Sequence, residues 1–366
     1  MRIDRRAFLE LSGLALVACH DLRDTAPFDA VVSVDAADRS SGTPCHTSLG
    51  DALAAAPQAS PRPWLIRIAR GRWHEKLIVS KPNIHLVGDD RKASILSFDA
   101  AAGHLKSDGK PWGTWGCASV IVRAPGFVAR NLTIENTFDY IGEITRPQPQ
   151  LEPIGANGAQ AVALMLDAGA DHSLIENVDI HGHQDTLFVD SGHSRFRNCS
   201  ISGSVDFIFG GGQCLIERCR IVSRHRPGKD RQGYVAVPST MRNQRFGLVL
   251  RSCRLEKEAP VPPTSVALGR PWRPTRSFPD GRYGDPNIVG AAAFLDCWMD
   301  DHIDSAGWDA MSYTARDGSR QRFQPQDARL AEYRSRGPGA HANTRRFFLS
   351  DEEARMYTDV AILGSG

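Results

Sequence analysis

The sequence predicts an all-β protein: a single-domain, right-handed parallel β-helix with short capping helices at its ends and long loops that wall a cleft. Three observations favour this fold. Short alternating strand-like segments such as LIRIA at 65–69 recur, helical periodicity is nearly absent, and one strand motif repeats. The motif is a polar residue, an apolar residue or cysteine, a variable position and then Ile, Leu or Met, as in NLTIEN (131), NVDIHG (177), NCSISG (198), RCRIVS (218), SCRLEK (252) and DCWMDD (296).

The spacing of this motif indicates a solenoid. Successive copies begin 46, 21, 20, 34 and 44 residues apart, which fits a period of about 20–23 residues with a skipped turn or an inserted loop in the longer gaps. A strand-rich repeat of that size is typical of turns that stack on one another. A β-sandwich is the alternative, but its strands would follow about every 8–12 residues without a longer period.

Helical segments are expected only near the two ends of the solenoid. SLGDALAAAP at 48–57 would cap the N-terminal coil. Near the C-terminus, Ser350 and Glu353 within SDEEARMY at 350–357 have the spacing of a capping box.

Composition limits the class of protein. The chain has 366 residues, of which 41% are hydrophobic and 23% are charged, as in a soluble globular protein. Its formal net charge is +2. Because a nucleic-acid-binding protein usually carries a strong positive charge, this value does not favour that class.

The N-terminal segment reads as an export signal. The twin arginine Arg5-Arg6 precedes an apolar run that is too short to span a bilayer. LVAC at 16–19 resembles a bacterial lipoprotein box, in which Cys19 becomes the lipidated first residue; an ordinary cleaved signal is the alternative. We therefore expect a signal peptide at 1–18, a lipidated N-terminus and linker at 19–30, and the β-helix domain at 31–366. His20 after the cysteine favours the outer membrane within the cell envelope, with the periplasm as the other location.

Two aspartates in GHQDTLFV (182–189) and GSVDFIFG (203–210) are separated by one solenoid turn. Asp185 and Asp206 should therefore lie side by side on neighbouring coils, about 4.8 Å apart along the axis. Gln184 lies beside the first aspartate, and Gln160 lies about one turn further toward the N-terminus. Because two close carboxyl groups cannot both ionise easily, one should be protonated while the other stays charged.

Other residues would complete a site around this pair. Arg270 in LGRPW (268–272) is the candidate partner for the charged aspartate, and Trp272 offers a flat face for a sugar ring. Phe188, Phe207 and Phe209 would supply apolar surroundings. The loops at 100–118, 139–158 and 271–288 would wall the cleft.

The same stacking rule places Cys199 on Cys219. An exported protein meets an oxidising compartment, so these two are candidates for a disulfide. The alternative is a buried ladder of free cysteines that includes Cys253 and Cys297. Of the eight cysteines, seven remain after Cys19, so at least one stays unpaired.

GAQAVAL (158–164), GHQDTLFV, GSVDFIFG and LGRPW together resemble the four signature blocks of pectin methylesterases, the pectinesterases of carbohydrate esterase family 8. The resemblance covers essentially the whole mature chain in order, and the lipoprotein signal makes it similar to the outer-membrane enzymes of Gram-negative bacteria. Three positions depart from the family pattern: Phe188 and Trp73 replace tyrosines, and Ser204 stands where threonine is common.

The resemblance implies a role for each site residue in hydrolysis of the C6 methyl ester of galacturonan. Asp206 is the nucleophile, Asp185 the general acid and base, and Gln160 and Gln184 form the oxyanion hole. Arg270 holds Asp206 ionised. The substrate would contact four aromatic residues: Trp272, Phe209, Phe188 and Phe207. The partner is a methyl-esterified galacturonan polymer or oligomer, the chain acts as a monomer anchored to the membrane by lipid, and no metal or organic cofactor is implied.

Three other functions remain open from the sequence. A polygalacturonase-type glycosidase also uses paired carboxylates, but the flanking glutamines favour ester chemistry. A thioesterase or other esterase could use the same fold, and a catalytically silent carbohydrate-binding β-helix is the third. His181 and His183 could share a strand face as metal ligands, but no third ligand follows at a plausible spacing.

Overall fold

The computed structural model describes residues 28–39 and 42–364. Three long parallel sheets run along the molecule, and the chain visits them in turn as it winds, so the predicted all-β parallel β-helix is confirmed. The expected signal peptide and Cys19 lie outside the described residues. Within the described ranges, no helix is long and apolar enough to cross a membrane.

The three sheets contain 11, 8 and 7 strands. In spatial order the first sheet comprises Cys45–His46, Ala30–Val32, Trp64–Ile68, Ile84–Gly88, Val128–Arg130, Ser173–Glu176, His193–Arg197, Gln213–Glu217, Leu248–Arg251, Ala291–Leu295 and Arg329–Tyr333. The second sheet comprises Gly71–His74, Ser94–Phe98, Thr133–Asn136, Asp179–His181, Ser200–Gly203, Arg220–Ser223, Arg254–Lys257 and Trp298–Met299. The third sheet comprises Leu77–Val79, Val120–Val122, Leu164–Leu166, Leu187–Val189, Ile208–Gly210, Gly233–Pro238 and Val266–Gly269.

Short helices and two hairpins lie outside the three long sheets. The helices are Ala36–Arg39, Leu49–Ala55, Tyr140–Thr145, Asp351–Arg355 and Asp359–Leu363, with a 3-10 turn at Pro325–Asp327. Two antiparallel hairpins pair Thr275–Phe278 with Gly281–Gly284 and Met311–Thr314 with Arg320–Phe323. Both predicted terminal helices are confirmed: Ser48 caps the first by accepting from Asp51 N, and the second begins with the capping box of Ser350 and Glu353. The helix Tyr140–Thr145, inside a long loop, was not predicted.

The repeated motif marks the turn from the first sheet to the second. Its first residue adopts the left-handed conformation in every copy, with φ between 53° and 55°, at Asn131, Asn177, Asn198, Arg218, Ser252 and Asp296. Asparagine and aspartate tolerate this conformation better than most residues. The turn reverses the chain and directs the fourth residue of each motif into the core.

These fourth residues form one continuous column. Ile134, Ile180, Ile201, Ile221, Leu255 and Met299 pair in that order on adjacent strands. Each interval in the sequence, short or long, is therefore a single turn, and the long ones contain inserted loops rather than skipped turns. All six side chains are fully buried, and burial of each contributes about 1.5–3 kcal/mol.

The expected Cys199–Cys219 disulfide is absent, and this prediction was wrong. All seven cysteines in the described part of the chain are free. Each thiol of the buried column finds a backbone carbonyl on the preceding coil: Cys199 Sγ lies 3.4 Å from Ile175 O, and Cys253 Sγ lies 3.3 Å from Ile216 O. The proximity of Cys199 and Cys219 alone suggested a disulfide. In the structure the thiols of the column instead contact backbone carbonyls of the preceding coil.

Candidate active site

The two aspartates lie side by side, as the spacing predicts. Leu187 pairs with Ile208 and Phe188 with Phe209 in the third sheet, which places Asp185 opposite Asp206 two residues earlier. Both aspartates are left-handed, with φ of 65° and 53°. They therefore occupy equivalent turns just before two neighbouring strands, where a rigid sheet fixes the direction of each side chain.

Arg270 binds one of the two carboxylates. It follows the strand Val266–Gly269, and its Nε and Nη2 donate to Asp206 Oδ1 and Oδ2 at 2.9 and 2.7 Å. The guanidinium carbon of Arg270 lies 3.8 Å from the ring centre of Tyr234, so a cation–π contact also stabilises this side chain. A two-pronged, charge-assisted contact of this kind favours an ionised, oriented Asp206.

Asp185 has the opposite environment. Its carboxyl group is buried, and this burial raises its pKa well above the usual value of 3.8; the neighbouring charge of Asp206 raises it further, while Arg270 opposes the shift. Burial therefore favours the protonated form of Asp185, which can donate a proton. The pair thus joins a carboxyl group whose pKa is raised by burial to a carboxylate bound by Arg270.

Both predicted glutamines lie beside this pair. Gln184 immediately precedes Asp185, and its Nε2 donates to Pro153 O at 2.9 Å, which uses one of the two N–H groups of this amide. Gln160 is on the preceding turn, where Ala161 N donates to Gln184 O at 3.1 Å. Gln160 Oε1 is buried and has no hydrogen-bond partner among the described residues. Two side-chain amides are thus available next to the reacting carboxylate.

An aromatic cluster forms one wall of the cleft. Phe188 and Phe209 stack with their ring centres 4.2 Å apart, and Trp272 meets Phe209 edge-on at 5.8 Å. Trp115 covers the group, 5.2 Å from Phe188 and 6.1 Å from Trp272, and remains 46% exposed. Sequence reasoning missed Trp115, although it assigned the loop at 100–118 to the cleft wall.

Phe207 is not part of this wall, and its predicted contact with substrate was wrong. Its side chain is fully buried in the main core inside the coils. Phe207 and Ile208 both pack in this core, whereas Phe209 faces outward and stacks on Phe188, so the left-handed turn at Asp206 interrupts the alternation of side chains just before the strand. Phe188 is also fully buried, beneath Trp115 and against Phe209.

The positions that depart from the family pattern lie outside the carboxylate pair. Trp73 packs in the main core and donates from Nε1 to Ala69 O at 3.3 Å. Ser204 is buried in the turn before Asp206. Phe188 alone lies in the cleft wall.

A cavity of about 610 Å³ opens on the other side of Arg270 and Gln184. The loop at 139–158 forms part of it, as expected: Tyr140 stacks on His183 at 5.2 Å, and Glu143 accepts from Leu151 N to hold the loop together. The remaining wall, which sequence reasoning missed, is the basic segment with Arg226, Lys229 and Arg231.

Known proteins are similar to this chain in both fold and sequence. The family model described as Pectinesterase matches residues 30–364. Pectinesterase A of Dickeya dadantii (strain 3937) is 39% identical over 360 residues, which are 97% of this chain and 96% of that protein. The pectin methylesterase structure from Erwinia chrysanthemi is 40% identical, with a TM-score of 0.87 over 93% of this chain and 98% of that one. The structure from Yersinia enterocolitica is also 40% identical, with a TM-score of 0.83 over 88% and 99%. The chain belongs to the pectinesterase family.

Proposed function

We propose that this pectinesterase hydrolyses the C6 methyl esters of homogalacturonan to free carboxylates and methanol. The observation that carries the mechanism is the contrast within the pair: Asp206 accepts two hydrogen bonds from Arg270, whereas burial raises the pKa of Asp185. A similar structure, with a TM-score of 0.88 and 40% identity, is a pectin methylesterase in complex with a hexasaccharide. An oligosaccharide therefore occupies a protein of this fold and family.

In the first step, a carboxylate oxygen of Asp206 attacks the ester carbonyl carbon, and negative charge develops on the carbonyl oxygen. The second N–H of Gln184 can donate to this oxygen. Gln160 can do the same after its terminal amide turns, because rotation about that torsion exchanges Oε1 and Nε2 and relieves the unpartnered Oε1. The amide of Gln184 is already held by Pro153 O, so it can stabilise the oxyanion without reorganisation.

In the second step, the tetrahedral intermediate collapses and the bond to the methoxy oxygen breaks. Asp185 gives its proton to this oxygen, so methanol leaves and the C6 acyl group stays on Asp206 as an anhydride. Asp185, now ionised, takes a proton from water, and the hydroxyl attacks the acyl carbon. The free acid is released, and both aspartates return to their starting states.

The aromatic wall is proposed to bind the sugar chain. Trp272 and Phe209 present flat apolar surfaces near the reacting carboxylate, and such faces suit the apolar face of a pyranose ring and the ester methyl group. Trp115 adds an exposed ring above them.

The test is methanol release from highly methylated pectin by the chain without residues 1–19, beside Asp206→Asn. The parent should release methanol and the variant should lose nearly all activity. Asp179→Asn is the matched control, since Asp179 is also a buried aspartate bound to an arginine, Arg91, but on the second sheet. If the control loses as much activity as Asp206→Asn, the nucleophile assignment fails.

The product also separates the alternatives. A glycosidase would create new reducing ends, whereas an esterase releases methanol and leaves chain length unchanged. A folded parent that releases no methanol from pectin or short methylated oligomers would move the substrate assignment to another ester or thioester.

We further propose that the protein is an exported lipoprotein of the outer membrane and acts as a monomer. The twin arginine and the sequence LVAC at 16–19 support the anchor. Mass spectrometry of the envelope-bound protein should find diacylglycerol on Cys19, and Cys19→Ser should release the protein from the membrane fraction. An N-terminus that begins beyond Cys19 would contradict the proposal, and size-exclusion chromatography checks the monomer.

A further inference from the structure

We propose that Asp171, His172 and His193 form a binding site for one divalent cation of the zinc class, apart from the catalytic cleft. Each residue offers one ligand atom, and these atoms lie within 4.8 Å of one another. The cluster lies at the end of the third-sheet strands opposite to Asp185 and Asp206, where the chain turns toward the first sheet. Two imidazoles with one carboxylate are a donor set that suits zinc.

The measured separations fit a tetrahedral ion. With ligand bonds of about 2.0–2.2 Å, two ligands of a tetrahedral zinc lie about 3.4 Å apart. His172 Nε2 lies 3.5 Å from Asp171 Oδ2, and His193 Nδ1 lies 2.9 Å from Asp171 Oδ1. These two contacts use different oxygens of Asp171, and one atom from each residue lies within 4.8 Å of the other two, so side-chain rotation has to bring three ligand atoms to about 3.4 Å from one another.

The backbone holds the three residues in place. His172 is left-handed, with φ of 52°, which turns its ring back toward the next coil. Asp171 Oδ1 accepts from the backbone N–H groups of His172 and His193 at 3.1 and 2.7 Å. The two imidazoles stack with centres 5.6 Å apart at an angle of 19°. Two successive coils therefore present the ligands on rigid turns.

Gln213 on the following coil can set the tautomer of His193. Its side-chain amide contacts His193 Nε2. The contacting atom is Gln213 Nε2; a turn of the terminal amide brings its oxygen to His193 Nε2, where it accepts the proton and leaves the lone pair on Nδ1 for a metal. A polar neighbour that fixes the free nitrogen of a ligating histidine is the usual support around zinc. The cation would then lie between His193 Nδ1 and Asp171 Oδ1.

The site is open to solvent. The side chains of Asp171, His172 and His193 are 41%, 51% and 29% exposed, and a cavity of about 440 Å³ adjoins both histidines. Arg195 lines the same cavity, but its guanidinium binds Asp359, so it does not present an unpaired positive charge to the ion. The fourth zinc position would be filled by water.

The test is titration of the untagged, chelator-treated protein with Zn²⁺ alone, followed by calorimetry, with the tetrahedral Co²⁺ spectrum as a second readout. We expect one Zn²⁺ per chain at this site and no competition from Mg²⁺, which prefers oxygen ligands. His172→Asn keeps a residue that tolerates left-handed backbone but removes the imidazole, and it should weaken zinc binding at least tenfold. His193→Gln should do the same.

His74→Asn is the control, because His74 is an exposed histidine beside the single carboxylate of Asp99. It should leave zinc affinity unchanged, and none of the three variants should change methanol release. The proposal is overturned if the parent binds no zinc, or if the His172 and His193 variants bind it as tightly as the parent and the control.

Discussion

Replacing Asp185 by asparagine should make the protein more stable and much less active. Asparagine is nearly isosteric with a protonated aspartate, so packing is preserved. In the folded protein, burial and then the charge of Asp206 raise the pKa of Asp185 well above 3.8. Above pH 3.8 the folded state therefore retains a proton that the unfolded state has lost, and rising pH favours unfolding.

The size of the effect follows from one proton. The stabilising contribution of Asp185 is complete below pH 3.8 and is lost as pH rises toward its folded-state pKa. The free energy of unfolding of Asp185→Asn should therefore exceed that of the parent by an amount that grows by up to about 1.4 kcal/mol per pH unit across this window. Burial also raises the pKa of Glu332, to about 7, but that group is unchanged in both proteins and cancels from the difference.

The assay is urea unfolding of both proteins from pH 4 to pH 8, with methanol release measured on the same samples. Loss of the general acid should lower kcat by about 10²–10⁴. Asp179→Asn is again the control, and it should lose stability because it breaks the pair with Arg91. A variant that is less stable than the parent at pH 7, or whose stability difference does not change with pH, would refute a protonated Asp185.

Three further substitutions test other parts of the site. Arg270→Lys keeps the charge but loses the two-pronged contact with Asp206, so kcat should fall about 10- to 100-fold; unchanged kinetics would remove Arg270 from the mechanism. Gln184→Asn pulls the amide away from Pro153 O, and kcat should fall about 10²- to 10³-fold with little change in KM; an effect on KM alone would argue against an oxyanion donor. Phe207→Ala should lower the unfolding free energy by about 3–5 kcal/mol, whereas Phe209→Ala should chiefly raise KM; similar losses from both would contradict their different burial.

The period of the sequence was enough to predict the fold and the pairing of the catalytic aspartates. A residue that turns the chain recurs once per coil, and the coil spacing then determines which side chains are neighbours. Asp185 and Asp206 follow from this rule without any knowledge of loops. The helix Tyr140–Thr145 does not, because it lies in an insertion that carries no repeat.

The errors have a common physical cause. Stacking predicts that two residues are neighbours, but not what their side chains do. Cys199 and Cys219 are neighbours whose thiols contact backbone carbonyls and form no disulfide. Phe207 lies next to the nucleophile in sequence yet faces the core, and Trp115 reaches the cleft from a loop that periodicity does not describe.

The column of the third sheet also explains why the two aspartates differ although their backbones are equivalent. On one side, the register places Val162 next to Asp185, so this carboxyl group has an apolar neighbour and no cation of its own. On the other side, the register places Tyr234 next to Asp206, and Arg270 packs over the ring of Tyr234. Arg270 lies on a later coil and reaches Asp206 before Asp185, so its positive charge is paired with Asp206. The position of each aspartate in the stack, rather than its own geometry, decides which one Arg270 binds and which one has its pKa raised by burial.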